Sequence, residues 1–207
     1  MRKLMLGALA LVLALPTSAE TVDQLDAVLS ALGGETVQVG HYKQRKSIKG
    51  FSEPLMSEGT YRIELENGVV WQQRVPFEDL LVIKAGKLYS GQGDQLVLQD
   101  VPASVSSLMA EVFTAMLAGD RQALQRSFEL SVIDNPEGVK SPAGWGIEMT
   151  PISAPLNAIF SLVVLQGTEQ AIEQITMYEV TGDHTVVELL PTATSDALAS
   201  WLQRGGQ

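Results

Sequence analysis

Cysteine is absent from the 207 residues, so neither a disulfide framework nor a thiolate metal site can exist and stability must come from packing. Histidine is scarce: His41 falls in a strand and His184 at a turn, and neither has a partner at metal-ligand spacing. Basic residues are few, 14 against 24 acidic, for a net charge of −10. Such a surface repels nucleic acid and does not favour anionic headgroups. No G-x-S-x-G elbow is present. The one glycine-rich stretch, "SGQGDQ" (90–95), has no lysine and no helix start after it, so it reads as a turn and not a phosphate loop. The carboxylate pairs Glu64/Glu66 and Glu78/Asp79 lack the apolar surroundings that would raise a pKa for acid–base work, and read as solvated faces. No catalytic group, metal or cofactor is therefore expected.

The apolar run at the start is short as well. Arg2 and Lys3 precede "LMLGALALVLAL", and Pro16, Thr17, Ser18 and Ala19 follow. That order is a secretory signal peptide over residues 1–19, cleaved after Ala19. The run falls well below the ~20 residues of a spanning helix. With no cysteine after it, a lipid-anchored form is excluded. The remaining 207 − 19 = 188 residues (20–207) suit one domain.

What is present is rhythm. "ETVDQLDAVLSAL" carries Val22, Leu25, Val28, Leu29 and Leu32 at helical spacing, with Thr21 as cap and Gly33-Gly34 as stop. Alternation then takes over. "TVQVGHYKQRKSI" puts Tyr42, Gln44, Lys46 and Ile48 on one face. "GTYRIELE" alternates through Tyr61, Ile63 and Leu65, and Asn67-Gly68 predicts a hairpin into "VVWQQRV". "DLLVIKAGKLYSG" predicts two strands turning at Ala85-Gly86, and "DQLVLQDV" another.

Residues 103–130 break the pattern with a helical stripe through Leu108, Met109, Val112, Phe113, Met116 and Leu117, ended by Gly119. A second short helix follows, with Asp120 as its N-cap. Five further strands come next, "APLNAIF" supplies a helical piece among them, and Gly182-Asp183 turns the last pair. The expected fold class is α+β: a large curved antiparallel sheet, an incomplete β-barrel, with helices over an apolar cavity. The basic segment "HYKQRKSIK" is a solvent-facing strand edge or a dock for an acidic partner or anionic headgroup.

Three stretches, "YKQRKSIKGFSEPLMSEGTYRI", "GVVWQQRVPFEDLLVI" and the late "FSLVVLQGTEQAIEQITMYEVTGDHTVVEL", resemble the periplasmic lipoprotein carrier family, LolA-like, in its divergent LolA-related branch. Tyr42-x-Gln44 matches the family's aromatic-x-Gln, Pro54, Leu55, Ser57 and Gly59 its Pro-Leu-x-Ser-x-Gly, and Trp71 and Pro76 its tryptophan strand and following proline. The resemblance implies a non-enzymatic, monomeric periplasmic carrier that shields acyl chains of a lipoprotein or glycolipid. It implies an inner-membrane transporter as donor and an outer-membrane receptor as acceptor. It departs at Leu65-Glu66, where the classical carrier has the Arg-Pro pair that holds its lid shut. The candidate cavity wall comprises Leu55, Ile63, Leu65, Val69 and Trp71 from strands, with Phe51 at the mouth, and Met109, Phe113 and Met116 from the helix. The alternative is a lipid-sensing or partner-binding module of the same fold.

Overall fold

The computed structural model describes residues 24–30, 37–64, 68–85, 87–92, 95–100, 108, 111–112, 114–116, 118–133, 144–168 and 171–192. Thr21, Gly33, Gly34, Leu65 to Asn67, Gly86, Met109, Phe113 and Leu117 lie outside them, as do residues 1–19, expected to be a signal peptide.

Among the described residues, eleven strands form one antiparallel sheet. They are β1 (Val37–Ser47), β2 (Leu55–Glu64), β3 (Gly68–Val75), β4 (Asp79–Lys84), β5 (Lys87–Gln92), β6 (Gln95–Leu98), β7 (Phe128–Ile133), β8 (Gly144–Pro151), β9 (Phe160–Thr168), β10 (Ala171–Glu179) and β11 (His184–Pro191). The order is β6-β5-β4-β3-β2-β1-β11-β10-β9-β8-β7. Each strand before and after the helical interlude pairs with its neighbour in sequence. The halves join where β1 meets β11, from Gly40 opposite Pro191 to Ser47 opposite His184. The sheet does not close: β6 and β7 are its edges.

The predicted hairpins form where turn chemistry placed them. Glu64 pairs with Gly68, whose φ of 98° suits glycine. Lys84 pairs with Lys87 across Ala85, itself at φ 50°. Gly182, at φ 92°, turns β10 into β11.

Among the described residues, four helical pieces accompany the sheet: residues 24–30 (α1), the helical residues 108, 111–112, 114–116 and 118 (α2), α3 (Arg121–Gln125) and α4 (Leu156–Ile159). Each buries a narrow apolar stripe. Leu25 and Leu29 of α1 share one face at the i, i+4 spacing and are buried, with Val28 packed beside them. Leu108, Val112, Ala115 and Met116 do the same for α2. Gly119 and Asp120 close α2, the Asp120 amide donating to the Ala115 carbonyl at 2.9 Å. The Asp120 carboxylate then caps α3, accepting the Ala123 amide proton at 3.0 Å.

Ion pairs tie the helical pieces together at the surface. Arg121 of α3 reaches Asp26 of α1 at 2.8 Å, and Arg126, at the α3 C-cap, reaches Glu111 of α2 at 2.7 Å. Such exposed pairs are worth about 0–1 kcal/mol each, so apolar burial and not charge holds the helices to the sheet.

One continuous core results. The inward faces of both sheet halves, Ile63, Val69 and Ile83 on one side and Ile147, Met149, Leu165 and Ile175 on the other, belong to a single buried cluster with α1 to α4. The outward face is polar where strands are central. Gln174 donates to Gln166 at 2.7 Å across β10 and β9, and the Thr60 hydroxyl to Gln72 at 3.5 Å across β2 and β3. This one-sided burial is the physical reason for the period-two alternation.

Candidate lipid-binding site

Trp71 is half-buried, and two tyrosines surround it. Its ring centroid lies 4.1 Å from that of Tyr42 and 5.9 Å from that of Tyr61, with interplanar angles of 30° and 28°. Pairing explains this. Tyr61 on β2 stands opposite Trp71 on β3 and also opposite Gly40 on β1. Tyr42 on β1 stands opposite Gly59 on β2. Each tyrosine thus lies over the glycine of the other strand. A Cβ on Gly59 would sit 2.8 Å from the Tyr42 ring, and one on Gly40 2.9 Å from the Tyr61 ring. The two glycines make room for two rings, and the rings form a platform for the indole.

Two hydrogen-bond donors on this inward face have no use within the described protein. The Tyr61 hydroxyl and the Trp145 indole N–H are buried without a partner among the described residues. Tyr61 is 3% exposed and Trp145 only slightly more. Burial pushes the Tyr61 hydroxyl up to about 12 from its ordinary 10.0. Burial also raises Tyr42, a hydrogen bond from the Trp71 side chain works against the rise, and the Asp79 charge adds to it.

The Tyr61 shift has a definite sign. A folded pKa above the unfolded value means that folding favours the protonated ring. The associated stability is complete below pH 10 and is lost as pH climbs towards about 12. Tyr61→Phe removes an unsatisfied hydroxyl, so the unliganded protein is expected to gain about 1 kcal/mol at neutral pH. The variant should also unfold less readily than the parent between pH 10 and 12. Thermal melts of parent and variant at pH 7 and across that alkaline range check both expectations.

The sequence-derived cavity residues divide into three groups. Ile63, Val69 and Met116 are buried in the common cluster, and Trp71 packs against it. Phe51 and Leu55 are on the outside instead, 74% and 61% exposed. The reason is position: Phe51 sits in the β1–β2 turn and Leu55 at the first residue of β2, beyond the helices' cover, although Leu55 shares the inward side of β2 with Ser57 and Tyr61. Leu65, Met109 and Phe113 lie outside the described residues.

Sequence reading passed over Trp145, treated Tyr61 as an alternation mark, and took Tyr42 as an alternation mark and the aromatic of the family's aromatic-x-Gln, without joining the two tyrosines to Trp71. A signal existed: Gly40-His41-Tyr42 and Gly59-Thr60-Tyr61 repeat Gly-x-Tyr on two strands that pair in antiparallel register. For Trp145, only the register that sets it opposite Gly167 reveals the role.

The arrangement offers an apolar surface, a three-ring platform and two idle donors. Among the described residues no group of three His, Cys, Asp or Glu is placed to hold a metal ion. His184 stacks on Tyr178 at a centroid distance of 6.0 Å, away from the platform.

The family described as "Outer membrane lipoprotein carrier protein LolA-like" matches residues 16–203. No curated protein is significantly similar in sequence. Among solved structures, a LolA superfamily protein from Nitrosomonas europaea is similar at 9% identity and TM-score 0.42, covering 82% of this chain and 91% of that one. The Mycobacterium tuberculosis lipoprotein LppX is similar at 10% identity and TM-score 0.45, covering 84% and 95%. MucB, in its complex with MucA from Pseudomonas aeruginosa, is similar at 13% identity and TM-score 0.42, covering 84% of this chain and 59% of that one.

Proposed function

This chain belongs to the LolA-like outer membrane lipoprotein carrier family, and from that premise we propose that it is a periplasmic carrier of acyl chains. A lipid- or lipoprotein-binding or carrier role is what family membership supports. The finer reading is that the chain is exported through residues 1–19 and shields the acyl chains of a lipoprotein or glycolipid. It takes them from an inner-membrane donor and carries them towards the outer membrane, as a monomer and without catalysis.

One observation carries the reading best. The inward face of an unclosed sheet is mostly apolar, and among the described residues short helical pieces cover it. An acyl chain left in water costs about 0.8 kcal/mol per methylene, so a carrier must enclose most of its length. It must also let go. Helices held by narrow stripes and exposed ion pairs can lift from the sheet at less cost than an interlocked core. The bed would be Ile63, Val69 and the Tyr42–Trp71–Tyr61 platform, with Met116 an adaptable contact from α2. Tyr61 and Trp145 would donate to the ester or amide oxygen that every acylated cargo carries.

Two measurements test this. Protein purified from its own periplasm should release acyl lipids on extraction and mass spectrometry. Displacement of an acyl-chain fluorophore should be about tenfold weaker for Trp71→Ala than for the parent, the loss expected for removing one large ring from an apolar contact. Unchanged displacement by a variant with native circular dichroism would sink the platform as the binding bed.

A further inference from the structure

We propose that Tyr61 and Trp145 form a carbonyl-reading subsite at one end of the inward face, which favours ester- or amide-linked chains over ether-linked ones and sets the direction in which the chains lie. The proposal rests on the carrier reading and deepens it. The Tyr61 hydroxyl and the Trp145 indole N–H are buried without a partner among the described residues, the two side chains being 3% and 7% exposed. Native interiors leave few polar groups in that state, because each costs stability. Two of them on one mostly apolar face call for an acceptor from outside the chain.

Register brings the two donors towards each other. The Tyr61 ring reaches from β2 across Gly40 of β1, where a Cβ would lie 2.9 Å from the hydroxyl oxygen. The Trp145 ring reaches from β8 across Gly167 of β9, where a Cβ would lie 2.6 Å from Cζ2, two bonds from the indole nitrogen. Both rings therefore lean towards β11 and β10, which lie between them in the sheet. From β1 to β9 is three strand spacings, about 14 Å along the backbone. The gap is smaller on the inner side of a sheet that joins both halves in one core. Among the described residues no lysine or arginine is buried, so an anion held here would be unpaired. A neutral carbonyl oxygen needs only a neutral donor, and each ring supplies one.

Position along the strands gives the direction. Gly40 stands opposite Pro191, the last residue of β11, and Gly167 opposite Trp145, the second residue of β8. Both donors thus sit at the end of the sheet where β8 starts and β11 finishes. Away from that end, β8 and β9 turn only apolar side chains inward: Ile147 opposite Leu165, then Met149 opposite Val163, all buried. Trp145 to Pro151 is 151 − 145 = 6 residues, about 20 Å at the rise of a strand. A bilayer's hydrocarbon core is ~30 Å thick, so the chains of one leaflet are about 15 Å long. Such a chain fits the track with its carbonyl at the donors and its methyl end towards Pro151. Tyr61 and Trp145 belong to the cluster that the helical stripes share, so cargo meets them as the helices part from the sheet.

The probes are dipalmitoylglycerol and its di-ether analogue, which has the same chains and no carbonyl oxygens, each used to displace an acyl-chain fluorophore. The parent is expected to prefer the ester on the order of twentyfold, about fivefold for each donor satisfied. Tyr61→Phe and Trp145→Phe should each lower that preference about fivefold, and the double variant should abolish it, with ether binding little changed. Both substitutions keep a ring beside the glycine. The ester-to-ether ratio is read within each protein, so a general loss of stability cancels. In a protein whose only tryptophan is Trp145 (Trp71→Phe, Trp201→Phe), bromine beside the carbonyl should quench fluorescence more than bromine at the chain end. A parent that binds both lipids equally overturns the subsite and leaves the carrier reading standing. A parent that binds neither overturns both. A preference that survives the double variant removes Tyr61 and Trp145 as its source, and stronger quenching from the chain end reverses the assigned direction.

Discussion

Leu165→Ala is expected to destabilise the protein by about 4 kcal/mol, within the range for truncating a buried leucine. Leu165 is 0% exposed and central in its half of the sheet. On β9 it stands between Ile175 of β10 and Ile147 of β8, both in the buried cluster. The truncation removes apolar contact and leaves a void that strands, pinned by their ladders, cannot collapse to fill. The midpoint of thermal unfolding should fall by roughly 12 °C, given about 2–4 °C per kcal/mol at this size. Leu165→Met, which keeps volume, should cost less than about 1.5 kcal/mol. Denaturant titration of both variants decides the matter. A loss of only about 2 kcal/mol or less for Leu165→Ala would mean that the interior beside β9 is already loosely filled, because no more than the transfer contribution would then be felt.

Gly59→Ala is expected to cost about 3 kcal/mol, at the upper end for overpacking, and to weaken acyl binding as well. Its Cβ would lie 1.9 Å from the Gln72 carbonyl oxygen and 2.8 Å from the Tyr42 ring. The ring could swing away, but the carbonyl belongs to the neighbouring strand, so β2 and β3 must separate locally. Truncating Tyr42 therefore should not rescue the variant. Because Tyr42 and Trp71 are in ring contact, the same strain should disturb the platform. Calorimetry together with fluorophore displacement separates the effects. A Gly59→Ala protein as stable as the parent would show that the close approach between β2 and β3 does not hold in solution.

Much of the architecture was legible from the residues alone. Alternation through Tyr61 and Ile63, turn chemistry at Gly68, Ala85 and Gly182, and the Asp120 cap each act over a few residues, so short windows of sequence carry them. The pairing order within each half of the sheet was legible too, because every pairing but that of β1 with β11 links strands adjacent in sequence.

The candidate site was legible only in part. Parity and helical spacing report the face a residue occupies, and the burial of Ile63, Val69 and Met116, with Trp71 packed against them, agrees with that reading of faces. Parity cannot report how far along a strand the cover extends: Leu55, expected in the cavity wall, is exposed, as is Phe51, expected at the mouth.

By itself, then, the sequence determined a one-sided antiparallel sheet with helical cover, a chain without thiols, and membership of a carrier family. These follow from local propensity, periodicity and composition, which need no knowledge of what touches what. Only the tertiary structure decided that Tyr42 and Tyr61 lie over each other's glycines beneath Trp71, that the Tyr61 and Trp145 donors are left idle, and that these donors, far apart in the chain, share one end of the inward face. Those facts depend on strand register and on which strand ends lie side by side, and both are set by pairing between segments as distant as β1 and β11.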